Sequence, residues 1–98
     1  MDIDLKIIFL QFIKIKNAGN GVSYKSLEMF DRKFGISPFQ REDTLDSLIE
    51  KEFIKEFPSS VYTLTDGGDN YLSKINLREV LGNLRNSRNA SAIDFLLR

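Results

Sequence analysis

The chain has no cysteine, no histidine, only two prolines, and no surplus of either charge, since 14 Lys/Arg balance 14 Asp/Glu. Each absence removes a class of chemistry. Without cysteine there is no thiolate nucleophile and no disulfide, and without cysteine and histidine together there is no Cys/His zinc site and no histidine-based triad. Carboxylate, lysine, serine and tyrosine chemistry is what remains. No paired-carboxylate site, phosphate-cradling loop or internal repeat stands out, so neither an enzyme nor a cofactor is expected. A formal net charge of zero gives the chain as a whole no electrostatic pull towards nucleic acid. The opening Met1-Asp2-Ile3-Asp4 carries acids in place of a basic stretch and no small-residue cleavage site follows, so the expected compartment is cytoplasmic.

A membrane-length apolar run is also missing. Residues 3–15 contain Ile3, Leu5, Ile7, Ile8, Phe9, Leu10, Phe12, Ile13 and Ile15, but Lys6, Gln11 and Lys14 interrupt them, and a span needs about 20 residues. The segment reads as a helix. Leu5, Ile8, Phe9 and Phe12 form one stripe for a core, while Ile3, Ile7 and Leu10 fall on an adjoining face. Either a partner covers that second face or the C-terminal segment folds back over it.

What is present fits one small domain. At 98 residues, 42% hydrophobic and 29% charged, the chain buries on the order of 60–65% of its unfolded surface. Asn17-Ala18-Gly19-Asn20-Gly21 reads as a helix stop and loop, and Val22 as a short strand. Ser23 can cap a helix marked by Tyr24, Leu27, Phe30 and Phe34; Gly35 closes it, Ile36 plugs the turn, and Ser37-Pro38 open the next helix. That helix is expected over residues 38–52. Phe53–Phe57 and Val61–Leu64 are β-branched and aromatic runs separated by Pro58-Ser59-Ser60, which makes a hairpin. Thr65 then caps a helix with Tyr71, Leu72 and Ile75 on its apolar side, and Asp66-Gly67-Gly68-Asp69-Asn70 reads as its capped first turn, lacking the ligands of a calcium loop.

Leu45-x-x-Leu48, Glu50-Lys51-Glu52-Phe53-Ile54 and Tyr62-x-Leu64-Thr65-x-x-Gly68 together resemble winged helix-turn-helix proteins of the MarR, PadR and ArsR type, over about residues 4–75. The fold expected from this resemblance is mainly α with a small β-hairpin, an α+β class, with residues 1–75 as the winged domain and 76–98 as a helical dimerisation or tail segment. The resemblance implies a DNA-binding protein, a transcriptional regulator or a small DNA-organising factor, that acts as a homodimer and presents the helix after the turn to the major groove of double-stranded DNA. Ser37, Phe39, Gln40 and Arg41, with Lys25 and Lys55 nearby, would contact the duplex. Glu52 stands where the family usually has a C-capping glycine, which suggests a different helix end. In MarR- and PadR-like proteins terminal helices dimerise; here the corresponding interface would use Ile3, Ile7 and Leu10 with Leu77, Leu81, Leu84 and Phe95, within residues 1–15 and 77–97.

Charge distribution pulls the other way. Residues 36–57, which hold the supposed reading helix, carry three Lys/Arg against six Asp/Glu. Glu42 and Asp43 would press on phosphates, and the Pro58-Ser59-Ser60 turn has no cation for a minor groove. Lys14, Lys16, Lys25, Arg32 and Lys33 could grip phosphates, or simply be solvated helix faces. The rival expectation is a winged-helix protein-interaction module that uses the acidic surface for a basic partner, with Phe39 as an exposed anchor.

Overall fold

The structure, a computed structural model, describes residues 2–16 and 21–98, with side chains from residue 5 onward. Among these residues the order is α1 (Asp2–Lys16), β1 (Val22–Ser23), α2 (Tyr24–Asp31), α3 (Pro38–Glu50), β2 (Ile54–Phe57), β3 (Val61–Leu64), α4 (Asp66–Ser73), α5 (Leu77–Leu84) and α6 (Ala90–Leu96). It is a mainly helical α+β fold with a three-stranded antiparallel sheet in the order β1-β3-β2. Most of the expected loop at Asn17–Asn20, and the Ile3 side chain, lie outside the described residues. No helix among the described residues is long and apolar enough to cross a membrane.

The elements begin where short polar side chains can satisfy exposed N–H groups. The Ser23 hydroxyl accepts from Ser26 N–H at the start of α2, and Thr65 Oγ1 accepts from Gly68 N–H at the start of α4. At α3 the capping is reciprocal: Ser37 Oγ accepts from Gln40 N–H at 3.1 Å while Gln40 Oε1 accepts from Ser37 N–H at 2.9 Å, with Pro38 at the first helical position. The hairpin pairs Ile54 with Leu64 and Phe57 with Val61, and Val22 pairs with Tyr62 on the other edge of β3. Ser59 and Ser60 carry the turn at φ 71° and 55°.

Helix α3 ends at Glu50, and Glu52 itself takes the left-handed conformation, φ 61°. Glu52 N–H donates to Ile49 O and Phe53 N–H donates to Leu48 O, both at 3.0 Å. That is the Schellman closure that glycine ordinarily serves. The expectation of a different helix end is therefore corrected: the closure survives, at a cost of about 1 kcal/mol for a side chain held at positive φ. The turn after α2 shares one of these bonds and has a glycine in the left-handed conformation, with Gly35 at φ 67° and Ile36 N–H donating to Asp31 O at 3.2 Å.

Helix α1 is buried nearly all round. Ile7, Ile8, Phe9, Leu10, Gln11, Phe12 and Ile13 are all buried, and α3, β3, α4 and α6 pack about it. A helix apolar on every side belongs in the middle of a fold. On its second face Ile7 is 2% exposed and Leu10, like Leu81 of α5, is fully covered, with α6 folded back onto α1. Ile7, Leu10 and Leu81 thus offer no open dimer face, because the C-terminal segment spends its apolar residues on the monomer's own core. Leu77, Leu84 and Phe95 remain half-buried at its edge. Gln11 Nε2 donates to Leu96 O at 2.8 Å and fastens the return. Leu81, Ile93 and Leu96 join the same core cluster as Phe9 and Leu48, so residues 76–98 and 1–75 share one interior. The corner between α5 and α6 is made by buried Asn89, whose Nδ2 donates to Leu84 O at 2.9 Å and whose Oδ1 accepts from Asn86 N–H at 2.8 Å.

Candidate interaction site

The exposed N-terminal half of α3 is the element to which the sequence assigned contacts with a partner, and its side chains divide sharply. Arg41 points inward. Its Nη1 donates to Asp31 Oδ2 at 2.9 Å and its Nε donates to the Tyr24 hydroxyl at 3.0 Å, with Glu28 at 3.9 Å. The guanidinium also lies 5.1 Å from the centre of the Tyr24 ring. Arg41 is 7% exposed and Asp31 1% exposed. The Tyr24 hydroxyl in turn donates to Glu42. The network joins α2 to α3 across the turn and consumes the only cation of α3.

Electrostatics within the network are uneven. Burial pushes the Asp31 carboxyl up to about 6 despite the Arg41 partner, since one oxygen accepts a single bond and Oδ1 has no hydrogen-bond partner. Burial acts to lower the Arg41 pKa, but its bonds to Asp31 and Tyr24 outweigh that and raise it, so Arg41 stays charged. The Tyr24 hydroxyl is raised, chiefly by its bond to Glu42.

For the other expected contact residues the structure is mixed. Ser37 and Gln40 are exposed but occupied with each other in the capping box. Lys25 and Lys55 are exposed, and Lys55 lies 5.1 Å from the centre of the Phe57 ring. Phe39 is 80% exposed. Around it α3 presents Glu42, Asp43, Asp46 and Glu50 to solvent. The assignment of Arg41 to a base or phosphate is corrected: a guanidinium held by a buried carboxylate would have to break that pair to reach a duplex.

Sequence reasoning missed this network although a signal was present. Asp31 falls seven residues after Tyr24 and four after Leu27, and Arg41 falls four before Leu45 and seven before Leu48. Each charge therefore lies in register with the apolar stripe of its own helix. Opposite charges in register on two consecutive helices point to a buried pair.

No group of three or more metal-ligating side chains occurs among the described residues. Comparison with known proteins found no match: no family model, no curated relative and no solved structure is similar to this chain.

Proposed function

We propose that the chain is a protein-interaction module of winged-helix type, in which the hairpin β2–β3 is the wing and the outer face of α3 engages a basic protein partner. The observation that carries this reading is the inward turn of Arg41, which leaves α3 with exposed acids and one exposed aromatic. Phe39 supplies the apolar anchor typical of a binding hot spot, and Glu42, Asp43 and Asp46 supply the complementary field that speeds and orients a basic partner. Nothing on α3 or at Pro58-Ser59-Ser60 offers a phosphate a free cation.

The second reading is a DNA-binding regulator, dimeric as such proteins usually are, and it draws on exposed Lys25 and Lys55, which have no ion-pair partner among the described residues. Two titrations separate the readings. A labelled amphipathic peptide of about 16 residues, Leu-faced and Lys-rich, is expected to bind the full chain and to lose affinity about tenfold with Phe39→Ala or Asp43→Lys. A labelled mixed-sequence duplex is expected to show no saturable binding at about 50 mM salt. Duplex binding that falls steeply with salt and disappears on K25A/K55A would overturn the protein-partner reading in favour of DNA.

A further inference from the structure

Away from α3, helices α1, α2 and α6 enclose an open trough of about 440 Å³. Its floor is aromatic. Phe12 and Phe30 stack with ring centres 4.0 Å apart, and Phe95 tilts against Phe12 at 6.2 Å. Met29 stands over them at 62% exposure, the most exposed aliphatic side chain among the large apolar residues at the surface. Besides Ser26 and Ser91 the rim carries Lys16, Lys33 and Arg98, and among the described residues no acid lines it. None of the three forms a salt bridge among the described residues, whereas Lys14, Arg41 and Arg85 each do. Lys16 and Arg98 instead lie 5.7 and 5.3 Å from the centre of the Phe95 ring.

We infer that this trough is a docking site for an acidic amphipathic helical segment of a partner protein, its apolar side on Met29, Phe30 and Phe95 and its carboxylates on Lys16, Lys33 and Arg98. Charge complementarity selects the partner's sign, because three cations without carboxylate partners surround one apolar floor. The open shape selects its size. A small amphiphile needs most of its surface enclosed, about 70–90%, and an open trough whose Met29 wall is 62% exposed does not supply that. A helix laid along a groove needs only its apolar stripe covered. Methionine suits the role, since its flexible thioether repacks around varied side chains. The inference is independent of the α3 reading, which concerns a different surface and a partner of opposite charge.

The test uses the full chain and a labelled helical peptide of about 16 residues with Leu and Phe at positions i, i+3, i+4 and i+7 and Glu elsewhere. The expected result is saturable binding that weakens with salt, falls at least about tenfold with K33E/R98E and with Met29→Asp, and is unchanged by Phe39→Ala or Asp43→Lys. All substituted trough residues are exposed, so far-UV circular dichroism and melting are expected to stay as in the parent chain. No binding at about 100 μM peptide overturns the inference. So does binding indifferent to K33E/R98E and Met29→Asp. A concentration-dependent dimer in sedimentation that those variants abolish would assign the trough to a second copy instead, and tight one-to-one binding of dodecanoate without peptide binding would assign it to a lipid-like ligand. Loss of Glu-rich peptide binding on Phe39→Ala would overturn the inference, whereas loss of Lys-rich peptide binding alone on that substitution supports two separate surfaces.

Discussion

At its N-terminal half α3 is held by contacts between side chains, Arg41 on Asp31 and Tyr24, whereas beyond its C-terminal end the chain is held at the backbone carbonyls of Glu52 and Phe53. There Thr65 Oγ1 donates to Glu52 O at 2.6 Å, Thr65 N–H donates to Phe53 O at 3.0 Å, and the first turn of α4 presses against the same carbonyl through Gly68. The Phe53 and Tyr71 rings stack over this junction with centres 4.8 Å apart. The two means of attachment fail differently. A polar anchor responds to pH and to the loss of one partner, while a backbone anchor responds to added volume and hardly to solution conditions.

The largest effect is expected from breaking the polar anchor on one side. Arg41→Met strands a buried carboxylate, and removal of one partner of a buried pair costs about 3–5 kcal/mol. Because Asp31 already titrates near 6, the stranded group can take up a proton. The loss measured by urea unfolding should therefore be greater at pH 8 than at pH 5. An equal loss at both would mean that Asp31 is not the group left behind.

Gly68→Ala attacks the other end. A Cβ there would lie 2.2 Å from Phe53 O and 2.8 Å from Leu64 Cδ1. A carbonyl in a hydrogen-bonded junction cannot move aside like a side-chain tip, so a loss of about 3 kcal/mol, the upper end of overpacking costs, is expected in the same assay. It should be the same at pH 5 and pH 8. Gly67→Ala is the control, its nearest neighbour being 3.5 Å from the added atom.

A subtler effect follows from Asp31 in the unsubstituted chain. Its folded pKa of about 6 lies above the usual carboxylate value of 3.8, so the folded state binds the proton more tightly. The contribution is present below about pH 4 and is lost as pH rises through about 6. Compared with Asp31→Asn, the parent chain should gain on the order of 2 kcal/mol as pH falls from about 7.5 to 4.5. Parallel stability curves for the two proteins would remove Asp31 from the account.

The smallest effect has the opposite sign. Glu52→Gly relieves the positive φ at the end of α3, and the gain of about 1 kcal/mol is partly offset by the greater freedom of glycine in the unfolded chain. A net stabilisation of about 0.5 kcal/mol is expected in thermal melts. Gly35→Ala, at the matching position after α2, should cost about 1 kcal/mol from backbone strain alone, since no atom lies within 4 Å of the added methyl.

The α+β composition could be read from the chain because local signals agreed with one another. Ser23, Ser37 and Thr65 cap the helices they precede, and the period-of-two runs on either side of Pro58 pair as a hairpin. What could not be read is set by distant residues. The stripes at Leu77–Leu84 and Ala92–Leu97 require cover but do not say from which chain, and only the packing of α6 on α1 decides it. At the candidate site Phe39 and the acids were legible as an exposed helix face. Arg41 was misread because reactivity was inferred from residue type before its place on the apolar stripe was checked.

The bond from Gln11 to Leu96 joins residues 85 positions apart, and this bears on how the chain is made. Helix α1 leaves the ribosome well before α6, which completes its cover. At synthesis rates of about 5–20 residues per second, Phe9, Leu10 and Ile13 wait roughly 4–17 s for that partner. Throughout that interval the most apolar segment of the protein is a nascent helix without its lid, so chaperone contact during translation should concentrate on α1 and end abruptly once α6 has emerged.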